Sequence, residues 1–68
     1  AEFVPSLDSK ITRKVVRELN LPKGMTIGGL VRNGEGMLVS GNTLIEAGDS
    51  VVVFCYNVDM KKVEKLFI

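Results

Sequence analysis

The sequence predicts a small α+β domain in the order β-α-β-β-β-β-α, with a mostly antiparallel sheet, two short helices and dimerisation. Three observations carry this expectation. Ile11, Val15, Val16 and Leu19 recur at helical spacing. Asn33-Gly34 stands between two extended runs, and both residue types tolerate the positive φ that a two-residue type I′ hairpin requires. Residues 51–56 are apolar throughout, with Val51, Val53 and Cys55 pointing one way and Val52, Phe54 and Tyr56 the other. A strand apolar on both sides is expected to be central and covered on both faces.

The elements follow in order. Glu2-Phe3-Val4 is a short extended segment ended by Pro5. Ser9 and Thr12 are both candidate N-caps for the first helix, and Arg13, Lys14, Arg17 and Glu18 fill its solvated face. Asn20 closes it, and Pro22 forbids its continuation. Its two valines lower helix propensity, so packing must hold it. Residues 25–32 read as a strand with Ile27, Gly29 and Val31 on one face, and Gly28-Gly29 mark a bulge or a close backbone approach. Residues 37–39 form the return strand of the hairpin. Residues 43–45 give a very short strand after the Ser40-Gly41-Asn42 turn, and Ala47-Gly48-Asp49 turns tightly into the strand at 50–56. Asn57 or Asp59 opens a last helix with Met60, Val63, Leu66 and Phe67 inward, and Asp59 and Lys65 match the helix dipole.

At 68 residues there is room for one domain. With 46% apolar and 25% charged residues, the composition is that of a globular chain. A single core below roughly 70–80 residues rarely supplies more than about 3–5 kcal/mol. Two short helices also have trouble covering both faces of such a sheet, so part of the core is expected at a homodimer interface. The formal charge of +1 argues against a nucleic-acid surface and against a polybasic membrane anchor. The absence of histidine removes the usual general base and the commonest metal ligand. One cysteine excludes an internal disulfide and a zinc site of several thiolates, in keeping with a reducing cytosol. No apolar run approaches the ~20 residues of a membrane span. The chain shows no signal peptide and does not begin with Met, and it reads as a piece of a longer polypeptide.

Few residues suggest chemistry. Residues 28–34 are glycine-rich, but Glu35-Gly36 stand where a phosphate loop needs Lys and Ser or Thr. A dinucleotide fingerprint would open a helix, not a hairpin. Glu46 and Asp49 flank Gly48 and could share a divalent cation, although a local backbone bond from Asp49 is the commoner arrangement. Cys55 reads as a small core residue, and Lys61, Lys62 and Lys65 as a solvated helix face. Arg32 ends a strand beside the hairpin. It is expected either to pair with Glu35 or to reach a phosphate or carboxylate across a dimer interface. With no nucleophile–base pair and no metal cluster, an enzyme is a poor reading.

The run Ser9-Lys10-Ile11, then Val16-Arg17-Glu18-Leu19-Asn20-Leu21-Pro22, then Ile27-Gly28-Gly29-Leu30-Val31-Arg32-Asn33-Gly34-Glu35, resembles the RCK C-terminal domain, also called TrkA-C. So does Gly41-Asn42-Thr43-Leu44-Ile45-Glu46-Ala47-Gly48-Asp49-Ser50-Val51-Val52-Val53-Phe54, and Lys61-Lys62-Val63-Glu64-Lys65-Leu66-Phe67 is similar to the family's last helix. The resemblance covers nearly the whole chain, with 1–68 as one such regulatory domain. It implies a cytoplasmic regulatory subunit of a Trk or Ktr potassium uptake system, at the inner face of the cell membrane. Its partners would be a second copy and, through the full-length protein, a membrane transporter subunit, with no nucleic acid and no direct membrane insertion. NAD or ATP would belong to an N-terminal domain outside this chain. The resemblance also implies effector binding between two paired domains, where some relatives bind cyclic di-AMP and others cations. By the same resemblance Arg32 matches a position that contacts cyclic dinucleotide in some relatives, with Ile27 and Val31 on its strand as further lining candidates. The chain departs from the family where Val39 replaces a frequent proline and where Ser40 and Asn42 replace acidic residues. Two other readings are a purely structural dimerisation module and the RCK-like domain of another carrier, such as an antiporter. The sequence preceding Ala1 would separate the latter from a potassium uptake subunit.

Overall fold

At Asn33 and Gly34 φ is +52° and +78°, and the chain reverses between β2 (Met25–Arg32) and β3 (Glu35–Leu38), with Arg32 opposite Glu35. This is the type I′ hairpin that the dipeptide favours. In the computed structural model, which describes all of residues 1–68, β4 (Ser50–Cys55) pairs antiparallel with the other side of β2. β1 (Glu2–Phe3) pairs with the far edge of β4, giving the order β1-β4-β2-β3 with every pairing antiparallel. β4 is therefore internal, as its apolar sequence requires.

Gly28 is the extra residue of a bulge. Ile27 stands opposite Val53 and Gly29 opposite Val52, so Gly28 has no partner on β4. An odd residue inverts the alternation beyond it. Met25, Ile27 and Leu30 are buried, whereas Val31 is 40% exposed on the other face. The grouping of Ile27, Gly29 and Val31 on one face is thus corrected by the bulge that the two glycines mark.

The first helix is also corrected. The chain forms two 3₁₀ turns, Lys10–Thr12 and Val16–Glu18, and Val15 between them is extended (φ −61°, ψ 155°). Backbone amides here bond to distant carbonyls, and those of Val16 and Arg17 are ones that an α-helix would satisfy internally. Ile11 N donates to Leu66 O at 3.0 Å, Val16 N to Thr43 O at 3.0 Å and Arg17 N to Gly41 O at 2.9 Å. The apolar stripe still faces inward, with Ile11 fully buried and Val16 and Leu19 packed on the core. Residues 43–45 do not join the sheet, because the Thr43 carbonyl is taken by Val16 and its amide by Ser40 O at 3.1 Å. Ile45 is nevertheless fully buried.

The last helix, α1 (Met60–Lys65), begins at Asp59, whose carboxylate accepts from Lys61 N at 3.0 Å. Val63 and Phe67 are buried, and Phe67 stacks on Phe3 with ring centroids 4.9 Å apart. Met60, expected inward, is 42% exposed. Together α1 and the 3₁₀ turns cover one face of the sheet, where nine apolar residues form the core. Val51 and Val53 are at most 1% exposed on that face, while Phe54 on the other is 61% exposed. Within one copy β4 is therefore covered on one side only. Cys55, expected in the core, is exposed at the end of β4.

Candidate functional site

Two features stand out where the sheet meets its loops. The first is a charged knot at the end of β2. Alternation turns Arg32 away from Val31 and toward the 44–49 loop. Its Nε donates to Asp49 Oδ1 at 2.9 Å and its Nη2 to Asp49 Oδ2 at 2.8 Å, a bidentate pair. Nη2 also donates to the Leu44 carbonyl at 3.1 Å, and Nη1 lies 3.4 Å from Glu46 Oε2. The Glu46 amide donates to Asp49 Oδ2 at 2.9 Å, closing a turn in which Gly48 has φ +88°. Such a φ suits glycine.

The Asp49 side chain is 3% exposed. The hydrogen bond from Arg32 holds its carboxyl below the usual carboxylate range, against the opposing effect of burial, with help from the Glu46 amide. The same bond holds the Arg32 guanidinium above its ordinary value. The expected pairing of Arg32 with Glu35 is replaced by this longer-range one. Glu46 and Asp49 do share a cation, but it is the guanidinium. No group of three or more His, Cys, Asp or Glu side chains is placed to hold a metal ion.

The second feature is the uncovered sheet face. Leu38 stands opposite Gly29, Gly29 opposite Val52, and Thr26 opposite Phe54. Gly29, Val31, Leu38, Val52 and Phe54 border a shallow apolar depression of about 410 Å³. Its floor is made by glycine. The Phe54 ring lies on Gly28 so closely that a Cβ there would come within 2.5 Å of Cε2. Leu38 is 91% exposed on the same face.

The three residues singled out from the sequence are dispersed by this geometry. Ile27 is buried on the core side, Val31 lies on the open face, and Arg32 is bound into the knot. Leu38 and Gly28 were not among the sequence candidates. The alternation of Val52 and Phe54 pointed to the face that holds them, but the bulge hid which β2 residues share it.

The family model for the TrkA-C domain matches residues 1–68. The chain is 46% identical over 59 residues to the Trk system potassium uptake protein TrkA of Azorhizobium caulinodans, covering 87% of this chain and 13% of that protein. It is 33% identical over 60 residues to the TrkA homolog of Archaeoglobus fulgidus, covering 88% of this chain and 14% of that protein. It is 32% identical over 66 residues to TrkA homolog 2 of Methanosarcina mazei, covering 97% of this chain and 15% of that protein. The chain thus spans only about one-seventh of these relatives' length. A solved structure described as "Structure of RCK domain with cda" superposes with a TM-score of 0.68 over 98% of this chain and 90% of that one, at 22% identity. That likeness concerns the fold.

Proposed function

The chain belongs to the TrkA-C domain family, and from that premise we propose that it is a non-enzymatic regulatory domain of a potassium uptake system. In this reading two copies pair through the open sheet face, and an effector bound at their junction biases the arrangement of the pair and so gates the transporter. The domain would act in the cytoplasm, held at the membrane by its transporter partner. No helix of the chain is long and apolar enough to cross a membrane.

The observation that carries the reading is the uncovered side of β4. An internal strand with Phe54 61% exposed and Leu38 91% exposed on the same sheet face is unfavourable in water for a lone domain. Covering it with a second copy removes that cost. The junction would then place Val31 beside the incoming ligand. Arg32, turned to the core side, would hold the end of β2 at the junction through Asp49, with Nη1, the guanidinium nitrogen without a hydrogen bond, at the rim for an anionic group, and Ile27 would support the strand from the core side. An effector shifts an equilibrium only through its differential affinity for two arrangements. Here the difference would come from contacts that exist only when both copies are in place.

The knot itself favours a second reading, in which the domain is a structural dimerisation module and sensing lies elsewhere in the full-length protein. Two of the three guanidinium nitrogens are already committed within the fold. Calorimetric titration of the chain with cyclic di-AMP separates the two. Saturable heat that disappears in Val31→Asp and weakens in Arg32→Lys supports the sensor. A silent titration well into the micromolar range, on a chain shown to be dimeric, leaves the scaffold.

A further inference from the structure

The formal charge of +1 conceals a separation of charge. Seven of the nine Lys and Arg residues fall in segments 10–18 and 59–65, together with only three acidic residues. Those segments carry a surplus of four positive charges, and the remainder of the chain a deficit of three. They are also the segments that cover the core face of the sheet, so the charge separation is a spatial one. All seven basic residues are exposed. Only Arg13 among them has an ion-pair partner, Asp8 at 3.4 Å.

The layer is continuous. Lys61 and Lys65 are four residues apart on α1, and Lys62 and Lys65 three apart, so they form one stripe turned away from buried Val63. The Ile11–Leu66 backbone bond brings the first 3₁₀ turn against the end of that helix. Lys10, Arg13 and Lys14 border one depression with Leu66 there. Beside it the Ser6 amide donates to the Phe67 carbonyl at 2.8 Å, tying the segment that carries Leu7 to the one that carries Ile68. These two apolar side chains are 88% and 77% exposed.

We propose that this layer docks on the surface of an anionic lipid bilayer, with the lysines among the headgroups and Leu7 and Ile68 at headgroup depth. The docking goes beyond the regulatory reading and does not depend on dimerisation or on an effector. Lysine is a mobile point charge suited to a diffuse surface potential, whereas planar anions are read by arginine forks. Exposed apolar residues beside unpaired lysines add the second element of interfacial binding. A single-stranded nucleic acid would need aromatic platforms. Here Phe3 and Phe67 are stacked against each other, and Phe54 lies on the opposite face of the sheet. Docked this way, the domain would present its open apolar face away from the membrane, where a second copy can reach it.

Co-sedimentation of the chain with vesicles tests this. We expect binding to vesicles of equal parts phosphatidylserine and phosphatidylcholine, little to phosphatidylcholine alone, and loss of binding as salt is raised. Lys61→Gln/Lys62→Gln/Lys65→Gln is expected to weaken partitioning about a hundredfold, at about fivefold per lysine. Lys23→Gln, outside the layer, is expected to leave it unchanged. All four are exposed positions, and circular dichroism confirms that the variants remain folded. The proposal is overturned by equal partitioning on both vesicle types, or by a triple variant that binds like the parent chain. It is also overturned if millimolar inorganic phosphate displaces the chain from vesicles at constant ionic strength, which would mark a discrete phosphate site. Polyglutamate holding the chain as tightly as the bilayer would overturn it too, by favouring an acidic protein partner.

Discussion

The Asp49 carboxylate accepts hydrogen bonds from Arg32 and from the Glu46 amide with 3% of its side chain exposed, so it has little solvent to replace a lost partner. Its folded pKa lies below the ordinary value, chiefly because of the Arg32 hydrogen bond. A carboxyl of this kind contributes stability that is complete above the unfolded pKa of about 3.9 and is lost as pH falls through the depressed folded value. We therefore expect urea stability to be level in this respect down to about pH 4 and to fall below it. Asp49→Asn, which keeps the shape but removes the charge, is expected to lose on the order of 2 kcal/mol at neutral pH and to flatten the acid limb. A variant whose acid limb matched the parent's would locate the sensitivity in another carboxylate. Half of this site was legible in the sequence. Asp after Gly in a tight turn signals a local backbone bond, which forms. Its partner Arg32 is 17 residues away, and Glu35, close in sequence and directly opposite Arg32 in the hairpin, was the more obvious choice.

Element by element, the sequence was most legible where local chemistry decides the conformation. Asn33-Gly34 specifies its turn, and Asp59 specifies the start of α1. It misled at residues 9–20, where the apolar spacing is helical but the amides of Ile11, Val16 and Arg17 are claimed by Leu66, Thr43 and Gly41. Periodicity reports which side chains face inward, and here it was right about Ile11, Val16 and Leu19. It cannot report that distant carbonyls will outcompete the helical ones. The same capture removed residues 43–45 from the sheet. The two expected helix starts now differ in a measurable way. The Asp59 carboxylate caps Lys61 N, whereas Ser9 has no side-chain cap bond and its buried Oγ has no partner. Asp59→Ala is expected to cost about 1 kcal/mol. Ser9→Ala is expected to be neutral or to stabilise by up to about 1 kcal/mol, because it deletes a desolvated, unpaired hydroxyl. The denaturant midpoint should fall for Asp59→Ala and hold or rise for Ser9→Ala. A Ser9→Ala loss as large as that of Asp59→Ala would mean that the hydroxyl finds a partner in solution.

For the molecule as a whole, the apolar content that seemed too large for two helices to cover proves to be divided unequally between the faces of one sheet. The core side is sealed, and the far side exposes Phe54, Leu38 and Val31. The alternation in β4 announced this division, but the bulge at Gly28 had to be seen before the β2 residues could be assigned to a side. A typical stable interface buries about 800 Å² per partner, and the domain exposes 4614 Å² in all. Pairing through the open face would therefore remove roughly a sixth of its surface from water. Stability drawn from such an interface depends on concentration, so the thermal midpoint should rise as the chain is made more concentrated. Phe54→Asp places a charge at the centre of the face, on a side chain that contributes nothing to the sealed core. Desolvating an unpaired carboxylate there should weaken self-association at least about a hundredfold while leaving the monomer folded. Sedimentation equilibrium would show dimer for the parent chain and monomer for this variant. If the variant dimerises as well as the parent, the two copies meet elsewhere; if the parent is a stable monomer at low micromolar concentration, the exposed aromatic must be covered by another part of the full-length protein, and an effector site between two copies loses its basis.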